Sequence, residues 1–409
     1  MGPPRTVKPS LARRVLWIVR DLLFLATDSL VLGLARAPKK PSPGSKPKLA
    51  IIAAHGIGDL VLLLPTLEAL LRRYPGSRYM VTLVCSSAAA DFARSVLTVD
   101  EIVSVDRVGL RRDLKYRLAM VRRLRGGNFS IAVQPCFNRD LLVEDALMRA
   151  TGAPTRIGSV GTPMFMPPLA RLLGDRWYSQ LIPAADGLLH ELERNAEFMR
   201  HLDAAGPVAR APGLLLATSS PQGPPYVLFA VGSSSPLKSW PLPHFEWLAG
   251  ALAERTDMPI VFCAGAHDRF PPPDAEPLGA DPPEGGAPQE PRRARAIAKP
   301  SQSEFMALIA GARLVVANDS AATHIAAALR IPSVCVVGGG IVGRYHPYPP
   351  DQAFDTTAPV VVGLSAPMPC FDCGWRCRFR LPPGQSAPCV EAVEPARVLA
   401  AALALLQPS

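Results

Sequence analysis

Three short segments of the chain combine glycines, hydroxyls and charged side chains in patterns that suit anion binding or proton transfer. The first is the loop from His55 to Asp59 (His-Gly-Ile-Gly-Asp), which follows an apolar run and precedes a helical pattern. Gly56 and Gly58 would let the backbone approach a ligand beside the helix start. Asp59 could act as a general base, but an aspartate there is also a good helix-start residue for structural reasons alone.

The second segment is a small-hydroxyl loop that follows a predicted strand and leads to a lysine. It contains Ser233, Ser234, Ser235 and Lys238. Hydroxyls and backbone amides can hold phosphate oxygens, and a lysine can neutralise the charge that builds on a leaving diphosphate. A solvated loop with a surface lysine would account for the same residues without any function.

The third segment passes from a predicted strand into a helix. It begins with Asn318, Asp319 and Ser320, and it continues with small residues and a histidine: Ala321, Ala322, Thr323 and His324. Asp319 or Ser320 could cap the helix, and the amides of its first turn would then form an anion site. The structural alternative is a capped helix whose histidine faces the core.

Four of the eight cysteines are crowded near the C-terminus, with the spacing Cys370-x2-Cys373-x3-Cys377-x11-Cys389. Four thiols at this spacing can surround one structural Zn²⁺ or an iron–sulfur cluster, and two disulfides or free thiols are the alternatives. The other four stand singly in apolar runs, which is typical of buried, inert thiols: Cys85, Cys136, Cys263 and Cys335. This cysteine usage favours a reducing cytoplasmic compartment.

The composition is that of a folded protein with an anionic partner. Of the 409 residues 48% are apolar and 19% are charged, which excludes wholesale disorder. The formal net charge of +10 favours a phosphorylated small molecule, an anionic membrane surface or nucleic acid. No basic-aromatic motif supports nucleic acid, so no nucleic-acid partner is expected.

Strand-like and helical runs alternate twice along the chain, which predicts an α/β protein with two doubly wound parallel sheets. The first half spans residues 48–205 and the second spans 226–369, and a Pro- and Gly-rich linker at 206–225 joins them. Residues 370–409 contain the cysteine-rich loop and a C-terminal helix. Residues 271–299 are predicted to be a mobile excursion rather than core. Two such halves would place a ligand cleft between them.

Continuous apolar runs predict strands that are covered on both faces, at 49–54, 79–85, 102–105, 130–133, 226–231, 260–264, 314–317 and 333–337. Helical patterns predict a helix that ends near Tyr74 and further helices at 88–96, 110–124, 140–151, 245–255, 303–310, 321–329 and 395–406.

The first 47 residues are predicted to form a basic amphipathic helix and a linker. Residues 15–35 are apolar but are interrupted by Arg20, Asp21 and Asp28, so they predict neither a membrane span nor a signal peptide. Apolar residues recur at helical spacing, at Leu11, Val15, Ile18, Leu22, Leu25 and Leu32. The surrounding lysines and arginines would suit an anionic membrane interface, and the alternative is a helix packed on its own protein.

Taken together, the three segments resemble glycosyltransferase family 9, the group that includes the bacterial lipopolysaccharide heptosyltransferases. The matching residues are Gly58, Asp59, Pro65, Tyr74-Pro75-Gly76, Ser233–Ser235, Lys238, Trp240-Pro241, Phe245, Asn318-Asp319-Ser320, His324, Ala326-Ala327-Ala328 and Pro332. The resemblance runs from about residue 48 to the end. It implies the GT-B fold, with two Rossmann-like domains facing a central cleft, and sugar transfer with inversion from a nucleotide-diphosphate donor.

The resemblance also implies roles for individual residues. Asp59 would be the base that takes a proton from the acceptor hydroxyl, at about 3 Å, with Gly56 and Gly58 beside the donor. Lys238 and the Ser233–Ser235 loop would stabilise the departing diphosphate, and the segment from Asn318 to His324 would bind the donor phosphate and ribose.

The same resemblance implies which partners and cofactors to expect. The partners are a nucleotide-diphosphate sugar, such as an ADP-heptose-like donor, and a lipopolysaccharide or other glycan or glycolipid acceptor. No cofactor is expected for catalysis, in agreement with the absence of an Asp-x-Asp motif from the chain. A cytoplasmic location with peripheral contact to the inner membrane follows from this acceptor and from the basic N-terminal helix.

One departure from the family pattern supports a competing hypothesis. Ala321 stands where the family usually has glycine, and its methyl group could crowd a bound phosphate. The alternative is therefore a catalytically degenerate member that binds a nucleotide or glycolipid as a scaffold. An NAD-dependent oxidoreductase is disfavoured, because the loop after the first strand lacks the third glycine of the dinucleotide fingerprint.

Overall fold

A computed structural model of the chain contains two units, each built on a parallel sheet. It describes residues 11–34, 44–162, 166–203, 212–214, 224–264, 276–277, 294–298, 300–348 and 361–407. Leu188–His190 belong to the second unit although they precede the last helix of the first. The predicted linker at 206–225 lies mostly outside the described residues, as does most of 271–299.

The first unit alternates strands and helices. Its strands are β1 (Lys48–Ala53), β2 (Met80–Ser86), β3 (Glu101–Val105), β4 (Ile131–Gln134), β5 (Thr155–Ser159) and β6 (Gln180–Ile182). Its helices are α1 (Leu11–Leu34), α2 (Ile57–Arg73), α3 (Ala90–Val96), α4 (Arg107–Arg112), α5 (Leu114–Gly126), α6 (Glu144–Thr151), α7 (Pro168–Asp175) and α8 (Glu191–Leu202), with a 3₁₀ turn at Ser87–Ala89.

The six strands form one parallel sheet in the order β3-β2-β1-β4-β5-β6, which is the Rossmann order. β1 and β2 are buried over nearly their whole length because they are apolar on both faces. The strand order reverses between β1 and β4. Ligands of open α/β sheets bind beside the carboxyl ends of strands at such a reversal, and the loop from His55 to Asp59 follows β1 there.

The second unit repeats this plan. Its strands are β7 (Tyr226–Ala230), β8 (Ile260–Ala264), β9 (Glu276–Pro277), β10 (Ala294–Ala298), β11 (Ala312–Asn318), β12 (Ser333–Val336) and β13 (Val361–Leu364). Its helices are α9 (Leu242–Ala253), α10 (Gln302–Gly311), α11 (Ala321–Ala328), α12 (Pro388–Glu391) and α13 (Pro395–Leu406), with a 3₁₀ turn at Pro236–Lys238.

The second sheet is also parallel, in the order β13-β12-β11-β7-β8-β10-β9. Its order reverses between β7 and β11, so the loops that follow these two strands emerge side by side. These are the loops of the second and third segments singled out from the sequence. The core beneath them packs α9 and α13 against the sheet through Phe229, Phe245, Leu248, Val398 and Ala402.

The predicted strands are confirmed to within one or two residues at each end, and three other predictions are wrong in detail. The helix predicted over 110–124 is two helices, because Asp113 is extended and its side chain accepts a hydrogen bond from the Tyr116 amide, which starts α5 anew. The region 271–299 is not wholly an excursion, since β10 pairs with β8 in the sheet. The helix predicted from residue 140 begins at Glu144.

Helix α1 is fixed to the first unit by a buried ion pair. Asp28 on α1 is 2% exposed, and Arg117 on α5 is completely buried. Nε of Arg117 donates hydrogen bonds to both carboxylate oxygens of Asp28, at 2.9 and 3.0 Å. Nη1 of Arg117 donates to the backbone carbonyls of Leu110 and Leu142, and its guanidinium lies 5.4 Å from the Phe24 ring centroid. Within the described residues, no helix has the length and apolarity that crossing a membrane requires.

Asp28→Ala is expected to lower the free energy of unfolding by about 3–5 kcal/mol, because it leaves the Arg117 charge buried without a partner. Chemical unfolding of the purified variants measures this. The control is Asp91→Ala, which breaks the exposed Asp91–Arg94 pair and should cost less than about 1 kcal/mol. Equal losses in the two variants would contradict the assigned role of Asp28.

Candidate functional site

The loop after β1 places Asp59 in the first turn of α2. Gly56 precedes this helix in an extended conformation, and Oδ2 of Asp59 accepts a hydrogen bond from the Gly56 amide at 3.2 Å. The carboxylate is therefore held over the loop at the helix N-terminus, where the helix dipole favours negative charge. Gly56 is exposed, and Asp59 and Gly58 are partly exposed, so the loop is at the surface of its unit.

Two charged residues that the sequence analysis missed hold this loop in place. Glu144, at the start of α6, is fully buried and forms an ion pair with Arg107. Its Oε1 also lies 3.6 Å from Nδ1 of His55, and Arg107 donates to the Ala54 carbonyl at 2.6 Å. A glutamate inside the apolar run Leu-Leu-Val-Glu-Asp-Ala-Leu is the signal that could have revealed this network.

In the second unit, Asn318 ties the loop after β7 to the end of β11. Its amide donates to the Val231 carbonyl at 2.7 Å and its Oδ1 accepts from the Trp240 amide at 2.8 Å. Asn318 is completely buried. The prediction that Asn318 contacts the donor is therefore corrected, because both ends of its amide are used by the backbone and none of it is exposed.

Lys238 and Asp319 form an ion pair between these two loops. Nζ of Lys238 lies 3.0 Å from Oδ2 of Asp319, and the two side chains are 17% and 11% exposed. The ammonium also lies 4.8 Å from the ring centroid of Trp375. Asp319 thus orients the lysine in this structure, whereas the sequence analysis expected Asp319 to contact the donor directly.

The three serines of the loop have separate roles. Oγ of Ser233 donates to the Ser235 carbonyl at 2.7 Å and lies 2.7 Å from Oγ of Ser239, so it shapes the turn. Oγ of Ser235 accepts from the Leu237 amide and starts the short helix that carries Lys238. Ser234 is exposed. Of the three, Ser234 is the hydroxyl most open to a ligand.

Helix α11 begins directly beside the ion pair. Ser320 is its N-cap and accepts a hydrogen bond from the Ala322 amide, and the partly exposed Ala321 is the first helical residue. The side chains of Ala322, Thr323 and His324 are buried, so this helix can offer a ligand its first-turn backbone but not these side chains. The expectation that these residues bind the donor is therefore restricted to the backbone of the first turn, where the Ala322 amide already donates to Ser320, and it stays a prediction.

Three histidines lie buried behind the start of α11. The rings of His324 and His346 are stacked with their centroids 4.8 Å apart, and Oγ1 of Thr323 lies 3.0 Å from Nε2 of His346. Nδ1 of His324 bonds the hydroxyl of Tyr348 at 2.8 Å, and the His190 ring packs on Tyr348. Burial lowers the pKa of His190 and His346 to about 4 and that of His324 well below its ordinary value.

Asp319, His324 and His346 have ligand atoms that all lie within 4.8 Å of one another, and among the described residues they are the one such group of metal-ligating type. The Lys238 ammonium already neutralises the carboxylate of this group at 3.0 Å. A divalent ion bound there would have to approach that ammonium closely, and like charges in a poorly solvated site repel strongly. The residues therefore fit a lysine–carboxylate pair better than a metal centre.

The cysteine-rich loop packs on a run of three glycines after β12. A Cβ atom at Gly340 would lie 2.2 Å from the Trp375 ring, and one at Gly339 would lie 2.2 Å from Phe371. The loop is also held by hydrogen bonds to the backbone of these glycines. The glycines thus leave room for the Trp375 indole, which contacts the Lys238 ammonium. Sequence analysis missed the contact between Trp375 and Lys238 because these residues are far apart in the chain.

The four clustered thiols line one pocket in this loop, together with Trp375 and Phe379. None of the four forms a disulfide, and burial raises the pKa of the Cys373 and Cys389 thiols. Among the described residues no three of these sulfurs lie within 4.8 Å of one another, whereas tetrahedral zinc with bonds of about 2.3 Å brings its sulfurs within roughly 4 Å. The structure thus lacks a preformed Cys₄ centre, and metal binding at Cys370, Cys373, Cys377 and Cys389 stays a prediction.

Comparison with known proteins finds a family match over part of the chain and establishes the fold. Residues 187–355 match the model of glycosyltransferase family 9 (heptosyltransferase). The structure of E. coli ADP-heptose lipopolysaccharide heptosyltransferase II is similar at 18% identity and a TM-score of 0.57, over 88% of this chain and 98% of that chain. E. coli heptosyltransferase WaaC with ADP is similar at 19% identity and a TM-score of 0.57, over 86% and 97%.

A glycosyltransferase of family 9 from Veillonella parvula is similar at 16% identity and a TM-score of 0.60, over 91% of this chain and 99% of that chain. At these identities the likeness establishes the fold, which is GT-B. No curated protein sequence matches the chain.

The buried histidines are expected to make the second unit sensitive to acid. The pKa of histidine in the unfolded chain is about 6.5, so between this pH and about 4 the unfolded chain binds more protons at His346 than the folded chain does. The stability that depends on neutral His346 is therefore complete above about pH 6.5 and is lost as the pH falls towards 4, by on the order of 3 kcal/mol for one such group.

Thermal unfolding of His346→Gln at several pH values tests this. The fall in melting temperature between neutral and mildly acidic pH should be smaller than in the wild type. His201→Gln changes a histidine of the first unit and serves as the control, which should keep the wild-type dependence. An unchanged acid response in His346→Gln would refute the linkage.

Proposed function

We propose that this chain, which carries a glycosyltransferase family 9 domain at residues 187–355, transfers a sugar from a nucleotide-diphosphate donor to a glycan or glycolipid acceptor, with inversion and without a metal ion. An ADP-heptose-like sugar is the first donor to test, since two of the similar structures are named for ADP-heptose or contain ADP. Lipopolysaccharide or another cell-surface glycan is the proposed acceptor class, which puts the reaction on the cytoplasmic side of the inner membrane.

The observation that carries this proposal is the fixed ammonium of Lys238 beside the N-terminus of α11. A leaving nucleoside diphosphate carries concentrated negative charge, which an oriented lysine and a helix N-terminus stabilise. Because Asp319 and Trp375 hold the ammonium before any ligand arrives, little reorganisation would accompany the reaction. The Lys238 ammonium, which an incoming diphosphate would share with Asp319, would supply the positive charge that a divalent metal supplies in other transferases.

Asp59 is the proposed base for the acceptor hydroxyl. An inverting transfer needs one group that removes the proton as the hydroxyl attacks the anomeric carbon, while the diphosphate leaves from the opposite face. Asp59 offers a surface carboxylate whose position is set by the Gly56 amide and by the Arg107–Glu144 network next to it.

The scaffold alternative rests on Ala321, and the geometry around Ala321 does not require a glycine. Ala321 is the first residue of a regular helix, after an N-cap in extended conformation, and alanine adopts helical backbone angles without strain. The replacement of glycine by alanine at this position is therefore compatible with a helix start that accepts phosphate oxygens.

Asp59→Asn is expected to reduce sugar transfer by roughly 10²–10⁴-fold while donor binding stays nearly unchanged, because the amide keeps the shape but cannot take a proton. Release of nucleoside diphosphate from a panel of nucleotide sugars measures the rate, and calorimetry measures donor affinity. Asp113→Asn is the matched control, since Asp113 also starts a helix of the first unit. Equal rates for Asp59→Asn and Asp113→Asn would remove the base assignment and favour the scaffold.

Lys238→Met is expected to weaken binding of the free nucleoside diphosphate by roughly ten- to hundredfold, as loss of a charge-assisted hydrogen bond predicts. The variant leaves the Asp319 carboxylate without its cation, so Lys238→Met is also combined with Asp319→Asn to separate lost binding from lost stability. Diphosphate affinity equal to that of the wild type in both variants would refute the proposed role of Lys238.

A further inference from the structure

Helix α1 presents an apolar face away from its own unit. Of the thirteen large apolar side chains that are exposed among the described residues, seven lie on this one helix: Leu16, Ile18, Val19, Leu22, Leu23, Leu30 and Leu34. Each of the seven is more than half exposed. Single exposed leucines are ordinary on a protein surface, but a contiguous set of this size marks a surface that something else covers.

The seven side chains share one side of the helix. At about 100° per residue they fall within an arc of roughly 160°, which also contains the small residues Ala26, Ser29 and Gly33. No charged residue lies inside this arc. Phe24 and Asp28 point the opposite way and are buried against the first unit.

The buried ion pair prevents the apolar face from turning inward. Rotating α1 to bury its leucines would pull Asp28 away from Arg117 and leave two charges without partners, of which Arg117 is completely buried. Breaking a buried pair costs several kcal/mol. Arg149 adds a second attachment through its hydrogen bond to Ser29 at 3.0 Å. The outward direction of the leucines is therefore a fixed property of the unit.

The chain around α1 is strongly basic. The first 48 residues contain ten lysines and arginines against two aspartates, which gives eight of the chain's ten net positive charges. One of the two aspartates, Asp28, is neutralised in the interior by Arg117. An uncharged apolar face flanked by this much positive charge is complementary to an anionic lipid surface, with acyl chains below and phosphates at its edge.

A second copy of the chain fits this surface less well. A two-fold dimer brings the same patch of both copies together, so two copies of the same strongly basic stretch of sequence would be brought towards each other. Repulsion between these like charges opposes dimerisation, whereas an anionic bilayer attracts both the apolar and the basic part of the surface.

We propose that α1 docks the first unit on an anionic lipid bilayer, lying in the plane of the interface with Leu16, Val19, Leu23 and Leu30 buried among the lipids. The inference goes beyond the proposed sugar transfer and does not depend on it. If both hold, the docked unit brings its proposed acceptor site to the surface on which a glycolipid acceptor is embedded.

Flotation of the full chain with vesicles tests the proposal without donor or acceptor, so its failure would leave the proposed transfer untouched. The chain should float with vesicles of phosphatidylglycerol and phosphatidylethanolamine and not with phosphatidylcholine alone. Binding should fall at 1 M salt, where the screening length drops to about 3 Å. Equal binding to the neutral and the anionic vesicles would overturn the electrostatic part of the proposal.

The variant Val19→Gln/Leu23→Gln/Leu30→Gln should bind the anionic vesicles at least tenfold more weakly, since three exposed side chains of the outer arc lose their apolar character. The matched control is Leu169→Gln/Leu172→Gln on α7, where both leucines are more than half exposed, and it should bind as the wild type does. Equal melting temperatures would show that both variants fold.

Two outcomes would overturn the proposal. One is unchanged vesicle binding by the α1 variant, which would assign any lipid contact to another surface. The other is a wild type that ignores vesicles but is dimeric by light scattering, with an α1 variant that is monomeric, which would assign the apolar face to a second copy.

Discussion

The buried amide of Asn318 sets the geometry on which the second unit's site depends. It joins the carbonyl of Val231 to the amide of Trp240, and these two positions bracket the loop that carries Lys238. Asn318 itself ends β11, so the next residue, Asp319, has its place fixed at the same time. Because both members of the Lys238–Asp319 pair are positioned by one side chain, their 3.0 Å contact follows from the strand pairing of β7 and β11.

The same electrostatic constraint applies to each sheet where its strand order reverses, between β1 and β4 and between β7 and β11. A carboxylate near the buried end of a parallel sheet is stable only when a cation or several donors neutralise it. In the first unit Arg107 does this for Glu144, and in the second Lys238 does it for Asp319. The exposures differ, however, since Glu144 is sealed and Asp319 is not. Arg107 is 30% exposed but also donates to the Ala54 carbonyl, so the first pair supports a loop. Lys238 is 17% exposed and lies beside the start of α11, where an anionic ligand could meet it.

The neighbourhood of Lys238 explains why its positive charge remains available. His324 and His346 are kept neutral by burial, and the Lys238 ammonium itself opposes their protonation. The indole of Trp375 adds an attractive ring face without adding a formal charge. Around Lys238 the charge of Asp319 is thus the one that counters it directly, and an incoming diphosphate would share the ammonium with that carboxylate.

Sequence patterns predicted eight of the thirteen described strands but did not indicate which buried polar groups would meet, for a physical reason. A buried strand such as Ile260–Ala264 is recognisable because its own residues are apolar on both faces. Asn318 was expected to bind a ligand and is a buried clamp instead, because its partners, Val231 and Trp240, are brought to it only by the pairing of β7 with β11. The contact of Trp375 with Lys238 was missed for the same reason, since it needs the room left by Gly340.

In helix α1, the distant residue Arg117 determines which face of the helix is buried, which the sequence pattern alone does not specify. Its apolar spacing predicts a helix with one apolar face, and the hydrophobic effect favours burying such a face. The observed rotation instead buries Asp28, because Arg117 on α5 is completely buried and needs a carboxylate. Satisfying that one charge leaves seven of the helix's described large apolar side chains exposed. The free-energy cost of exposing these side chains to water then favours association of α1 with a surface that can cover them. An anionic bilayer is such a surface, and its charge is also complementary to the basic sequence around the helix.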